Sequence, residues 1–241
     1  MPMSGRLRAF PLVCLLAVAL AFAGCSKEEN VGPEPPKLTG KDVLDRGIQE
    51  LSRNNIQAAI NLFSLIVEKA PEGSPERAAA HTFLGQIAYR SGKMDDAIAQ
   101  FEAALSSAPD LQPARVGLGN AFLSVGRFEE AVAAWGPLVA ANPNLFKVHN
   151  NMGVAYQDMG RLDDAIAHLE QAVALAPEYL RAHENLAEAY RKKGMTEAAD
   201  AAERRAQAIK ARIGAQTQAQ MEAQSQARAE AEARAQAEAA H

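Results

Sequence analysis

The feature that most constrains the fold of this chain is a short motif that recurs every 34 residues. Gly-Lys-Met-Asp-Asp-Ala begins at residue 92, and related motifs begin at residues 126, 160 and 194. A fixed period of this length indicates a solenoid of stacked repeats. Two further sets of landmarks keep the same step: Gly85, Gly119, Gly153 and Ala187, and Pro109, Pro143 and Pro177.

A weaker copy of the repeat precedes these. Gly47, Asn54, Ala59, Phe63 and Pro71 occupy the corresponding slots, and four extra residues follow in the loop 72–77. We therefore predict five repeats, at about 40–73, 78–111, 112–145, 146–179 and 180–213.

Each repeat has the pattern of two helices joined by a sharp turn. In the fourth repeat Val148 and Tyr156 fall on one helical face, and a second apolar face begins at Ala165. Gly160 lies between the two faces, where glycine tolerates the left-handed conformation that ends a helix. Gly153 and Ala165 are small, which predicts a close crossing of the two helices.

These residues resemble the tetratricopeptide repeat from Gly47 to about Ile213. The resemblance implies an all-α, right-handed superhelical solenoid of about five helical hairpins, in which the first helix of each hairpin lines a concave groove. Departures lie in the end repeats, with Asn54 at the turn glycine, Ala187 at the helical glycine and Glu203 at the usual aromatic. Terminal repeats are expected to be atypical because one face meets water.

Composition excludes several classes of function. The chain has 241 residues and a net charge of −4, with no strongly basic segment, so nucleic acid is not expected as its main partner. The two cysteines, Cys14 and Cys25, lie at the N-terminus, so no disulfide framework or thiolate metal site is expected in the rest of the chain.

The N-terminus has the pattern of a targeting segment. Arg6 and Arg8 precede 9–24, an uncharged stretch shorter than the ~20 residues that span a membrane, so we predict a signal peptide at 1–24. Ala23-Gly24-Cys25 resembles the lipobox of bacterial lipoproteins, although Phe22 stands where leucine is usual. The alternative is an ordinary secretory signal followed by a chance cysteine.

The lipobox resemblance implies a covalent lipid on Cys25 and attachment to the membrane through that lipid. Residues 25–39 are rich in charge and proline, and we predict a disordered tether there. Ser26 favours the outer membrane, with the protein in the bacterial cell envelope and facing the periplasm.

The groove implied by the resemblance has more apolar residues in its earlier half and more polar and charged residues in its later half. This gradient suggests an extended peptide partner with apolar anchors at one end; surface drift without a fixed ligand is the alternative. We predict the following exposed groove residues: Thr82, Gln86, Tyr89, Val116, Asn120, Leu123, Lys147, Asn150, Asn151, Gln157, Arg181, Glu184, Asn185, Glu188 and Arg191.

Two of these residues support a sharper hypothesis. Asn151 and Asn185 lie one repeat apart and are expected to stack as neighbouring rungs of the groove. An amide both donates and accepts hydrogen bonds, so these side chains can hold the main chain of a partner. The alternative is a consensus residue that serves helix packing.

The sequence shows no catalytic site, and we predict neither an enzyme nor a metal or other cofactor. His81, His149 and His183 occupy one repeated slot, and helices of neighbouring repeats are ~10 Å apart, too far for one ion to join all three. A packing role is expected for them, and His168 has no obvious partner.

The tail, 214–241, is rich in alanine, glutamine and glutamate. We expect a solvated helix or a disordered segment, with a partner-binding or wall-reaching arm as the alternative. Ile209 and Ile213 are expected to cap the solenoid.

Together these features predict a lipid-anchored envelope adaptor that binds other envelope proteins or extended peptide segments during assembly of a pilus, secretion or outer-membrane machine. A periplasmic chaperone and a non-catalytic accessory subunit of an envelope enzyme are the alternatives.

Overall fold

The computed structural model describes residues 39–239, and all the regular secondary structure in this range is helical. The expected all-α solenoid is confirmed: the first helix of each hairpin packs against the second helix of the same hairpin and, except in the last hairpin, against the first helix of the next. The helices are α1 (Gly40–Ser52), α2 (Ile56–Lys69), α3 (Pro75–Arg90), α4 (Met94–Ser107), α5 (Gln112–Ser124), α6 (Phe128–Ala141), α7 (Phe146–Asp158), α8 (Leu162–Leu175), α9 (Leu180–Lys192) and α10 (Thr196–Ala239).

The turn inside each hairpin uses a residue with positive φ. Gly160, between α7 and α8, has φ +74°, and Asn54 takes the same role in the first hairpin with φ +63°. Asparagine is among the few residues other than glycine that visit this region routinely. The first repeat therefore keeps its turn without the glycine.

The two helices of a hairpin cross closely at the helical glycine. A Cβ atom built on Gly153 would lie 2.5 Å from Cγ of Leu169, and one on Gly85 would lie 2.8 Å from Cδ1 of Phe101. Because the facing side chain already fills this space, a small residue is required here. The fifth hairpin has Ala187 at this slot, and the facing slot holds Glu203, which pairs with Arg191 at 2.7 Å.

The same facing slot supplies the largest core side chains. Phe63, Phe101, Trp135 and Leu169 are completely or almost completely buried, one in each of α2, α4, α6 and α8. Each of these side chains packs against the helical glycine of its own hairpin, and Phe63 and Phe101 also contact Phe83 and Gly117 of the next hairpin. The core is therefore a line of equivalent contacts along the solenoid.

Helix α10 closes the solenoid and then continues beyond it. Ile209 is buried, as expected for a cap, but Ile213 is 47% exposed, so the prediction that both residues cap the solenoid is wrong for Ile213. Beyond the buried residues, surface ion pairs link α10 to the loop before α9, because Glu178 binds Arg205 at 2.8 Å and also Arg212.

The predicted tail is helical as far as Ala239, and its side chains are exposed wherever their burial is described. Within 39–239, none of the helices combines the length and apolarity needed to cross a membrane. The predicted signal peptide, the lipidation site Cys25 and the tether up to residue 38 lie outside the described residues.

Candidate partner-binding groove

The predicted groove residues all lie on the first helices of the hairpins: α3, α5, α7 and α9. Most are at least partly accessible. Three are not, because Thr82 is 5% exposed, Asn150 3% and Gln157 8%. The expectation that these three face solvent is wrong, since the periodicity identifies a helical face but not how far neighbouring elements cover it.

Each buried polar residue has a different environment. The Thr82 hydroxyl donates to the backbone oxygen of Ala78 at 2.8 Å, on its own helix. Asn150 bonds with two other asparagines. Gln157 has a buried Oε1 with no hydrogen-bond partner among the described residues.

Four asparagines form a continuous line of side-chain hydrogen bonds across three helices. Asn185 Nδ2 donates to Asn150 Oδ1 at 2.9 Å, Asn150 Nδ2 donates to Asn151 Oδ1 at 3.1 Å, and Asn151 Nδ2 donates to Asn120 Oδ1 at 2.9 Å. We call Asn120, Asn150, Asn151 and Asn185 the asparagine line. It joins α5, α7 and α9.

The asparagine line connects the two predicted rungs indirectly. Asn151 and Asn185 lie on neighbouring helices and are bridged by Asn150, whose part the sequence reasoning missed. The adjacent pair Asn150-Asn151, one repeat before Asn185, was the signal that could have revealed it. Asn120, Asn151 and Asn185 remain half-buried, so amide groups not used within the line can still reach a partner.

The groove near α3 and α5 has a different surface. Phe101 lies beneath Gly117, which has no side chain, and the two residues help to line a cavity of about 150 Å³. Tyr89, Val116 and Asn120 line its walls. Leu123 is half-buried against the core nearby.

The end of the groove on α7 and α9 carries both signs of charge. Lys147, Arg181 and Glu184 are exposed. Glu188 pairs with Lys192 at 3.0 Å, and Arg191 pairs with Glu203. These surface pairs are weak, about 0–1 kcal/mol each, so a charged partner can replace them.

The repeated histidines have structural roles in the described part of the chain. His149 and His183 place Nε2 2.9 and 3.0 Å from the carbonyl oxygens of Pro143 and Pro177, so these nitrogens donate to the turn that precedes each helix. His81 Nδ1 lies 2.8 Å from Gln100 Oε1.

His168 does have a partner, contrary to our expectation. Its Nδ1 lies 3.0 Å from Nδ1 of His149. Because His149 Nε2 faces a carbonyl oxygen and donates to it, its Nδ1 is the acceptor in this pair and His168 is the donor. Burial lowers the pKa of His168, and His149 lowers it further, against a smaller opposing effect of Asp164.

A metal site does not emerge from the described residues, where no three histidine, cysteine or acidic side chains lie close enough together to share an ion. The accessible features of the groove are instead amide groups, an apolar cavity and weakly paired charges. This arrangement offers hydrogen-bonding, apolar and charged contacts on one surface.

Comparison with known proteins agrees with this geometry. Three family models, each described as tetratricopeptide repeat, match residues 44–111, 88–150 and 144–212. The chain therefore contains tetratricopeptide repeats along most of the solenoid. Fold and repeats together define a scaffold of the tetratricopeptide type for protein–protein interaction. No curated protein matches the chain.

Among solved structures the chain is similar to MamA. One MamA crystal structure is 21% identical with a TM-score of 0.64, covering 70% of this chain and 96% of MamA. MamA from Desulfovibrio magneticus RS-1 is 20% identical with a TM-score of 0.65, covering 71% and 94%. MamA AMB-1 is 26% identical with a TM-score of 0.58, covering 69% and 96%. Because 283 solved chains match, this similarity establishes the fold and selects no partner.

Proposed function

We propose that this protein is a lipid-anchored adaptor of the bacterial cell envelope that binds extended segments of other envelope proteins in its groove. The observation that carries the binding role is the asparagine line beside the apolar cavity, because the two supply main-chain and side-chain contacts on one face. The lipobox-like Ala23-Gly24-Cys25 supports the envelope location.

The anchor and the groove act together in this proposal. Several acyl chains on Cys25 would hold the protein stably at the membrane, since each buried methylene contributes ~0.8 kcal/mol. The chain from Cys25 to the start of α1 would span at most ~50 Å. The start of the solenoid would thus stay within that distance of the lipid surface, and the groove would work on partners that assemble near the membrane. A pilus, secretion or outer-membrane machine fits this requirement.

The anchor is tested by Cys25→Ala. Labelled palmitate should be incorporated into the original protein and not into the variant, and the variant should leave the membrane fraction. Cys14→Ala is the matched control, because Cys14 lies within the predicted signal peptide. Undiminished label in Cys25→Ala would contradict the proposed anchor.

The adaptor role is tested by crosslinking capture from membranes. An adaptor should capture a few partners in stoichiometric amounts. A chaperone that holds unfolded clients should instead suppress the aggregation of unrelated proteins, and that result would favour the alternative. We also propose that the protein has no active site of its own, which places any catalysis in its partners.

A further inference from the structure

Two small apolar cavities flank one stripe of α3. The first, of about 130 Å³, is lined by Leu51, Ile56 and Phe83, and the second is the Phe101–Gly117 cavity described above. Pockets for small molecules usually have volumes of ~300–1,000 Å³. Each of these cavities therefore fits one apolar side chain rather than a small-molecule ligand.

Two polar side chains are common to both cavities. Gln86 and Arg90 line each of them and stand between the two. Within the described chain, Arg90 is the only charged residue lining either cavity, and its guanidinium group makes no ion pair there. The charge offered to an occupant is therefore positive.

The separation of the cavities limits the shape of the occupant. Because one lies between α1 and α3 and the other between α3 and α5, their centres are about one helix spacing apart, ~8–10 Å. A polyproline II segment rises ~3.1 Å per residue with three residues per turn, so side chains at i and i+3 point the same way ~9 Å apart. In a β-strand, side chains on one face repeat at ~6.7 or ~13 Å.

We propose that the α3 cavities bind a partner segment in the polyproline II conformation, with apolar side chains three residues apart and an acidic residue between them. The apolar side chains enter the two cavities, and the carboxylate meets Arg90. The Gln86 amide then reaches the partner backbone, which has no internal hydrogen bonds in this conformation. The inference deepens the proposed function by naming its partner class.

The spacing is tested with labelled peptides and the whole protein, by fluorescence anisotropy. The probe is Ser-Pro-Leu-Glu-Pro-Leu-Pro-Ser, compared with peptides whose leucines are two or four residues apart. Correct spacing should bind about tenfold more tightly, because misplacing one leucine loses its burial. Equal binding of all three peptides, or binding of none, would overturn the proposal.

The two sites are tested with matched variants. Ile56→Gln should weaken binding of the probe about tenfold. Met195→Gln should leave it unchanged, since Met195 is equally exposed, at 41% against 39%, and lines neither cavity. Equal effects of the two variants would contradict the assignment of the cavity.

The role of the positive charge on Arg90 is tested by reversing that charge. Arg90→Glu should weaken binding of the Glu-containing probe about fivefold and should favour a probe with lysine in place of glutamate. Such a swap cannot arise from misfolding, and its absence would overturn the role of Arg90. Capture of envelope partners without probe binding would refute this inference alone, whereas probe binding without captured envelope partners would refute the proposed adaptor role alone.

Discussion

The two halves of the groove differ in chemistry although their backbones repeat. At one equivalent slot of the first helices, the earlier half has Phe83 and Gly117 and the later half has Asn151 and Asn185. The earlier residues line apolar cavities, whereas the later ones join the asparagine line. This repeated position therefore differs between an apolar surface in the earlier half and an amide surface in the later half.

The largest expected effect comes from placing the asparagine of the later half at the equivalent position of the earlier half. Gly117→Asn should lower the free energy of unfolding by about 1–3 kcal/mol, because the Phe101 ring occupies the space of the new Cβ atom. Urea denaturation measures this loss. Gly136→Ala is the control, since nothing lies within 4 Å of its new Cβ atom, and it should be neutral or stabilising by about 0.5–1 kcal/mol. Equal effects of the two substitutions would contradict the claim that Phe101 fills the space beside Gly117.

The next effect should be confined to the later half. Asn150→Ala removes the central link of the asparagine line and leaves Asn185 Nδ2 and Asn151 Oδ1 without their partner, which should cost about 1–2 kcal/mol. Hydrogen exchange should quicken in α7 and α9 and stay unchanged in α1 and α2. Equally faster hydrogen exchange in all helices would show that the asparagine line does not stabilise α7 and α9 in particular.

A smaller effect concerns pH. The pKa of His168 is lowered in the folded protein, so the unfolded chain binds more protons as pH falls through about 6.5, the ordinary value. Stability from neutral His168 should be complete above that pH and decline below it. His168→Gln, which copies Gln100 of the second repeat, should flatten the dependence of the melting temperature on pH between about 7 and 5. An unchanged slope would contradict this prediction.

The smallest effect is expected from the tail. Truncation after Ile213 should leave the melting temperature nearly unchanged, because the side chains beyond it are exposed wherever their burial is described. Truncation after Arg204 should lower it clearly, since this also removes buried Ile209 and the partners of Glu178. A large loss with the shorter truncation would mean that the tail stabilises the body.

The sequence predicted the fold well because the repeat is enforced by sterics. Where two helices cross, a small residue such as Gly153 must face a large one such as Leu169. This pair recurs at a fixed spacing, which the sequence shows directly. The groove was predicted less completely. Periodicity identifies the face of a helix but not how far the next repeat covers it, so Thr82, Asn150 and Gln157 were wrongly expected to be exposed.

Contacts between side chains on different repeats were the hardest to foresee. Asn150 bridges two helices, and His168 meets His149, because of rotamers that no spacing specifies. The prediction that Ile213 caps the solenoid was wrong for a related reason. The last helix meets no further repeat, so only its first turns are covered.

The claim that the groove holds a partner's main chain is tested most directly by removing the accessible amides. Asn151→Ala with Asn185→Ala should reduce quantitative crosslinking capture of envelope partners about tenfold or more, at ~0.5–1.5 kcal/mol per hydrogen bond, while the protein remains folded by circular dichroism. Asn61→Ala, an exposed asparagine on α2, should capture partners normally. Undiminished capture by the folded double variant would contradict the account.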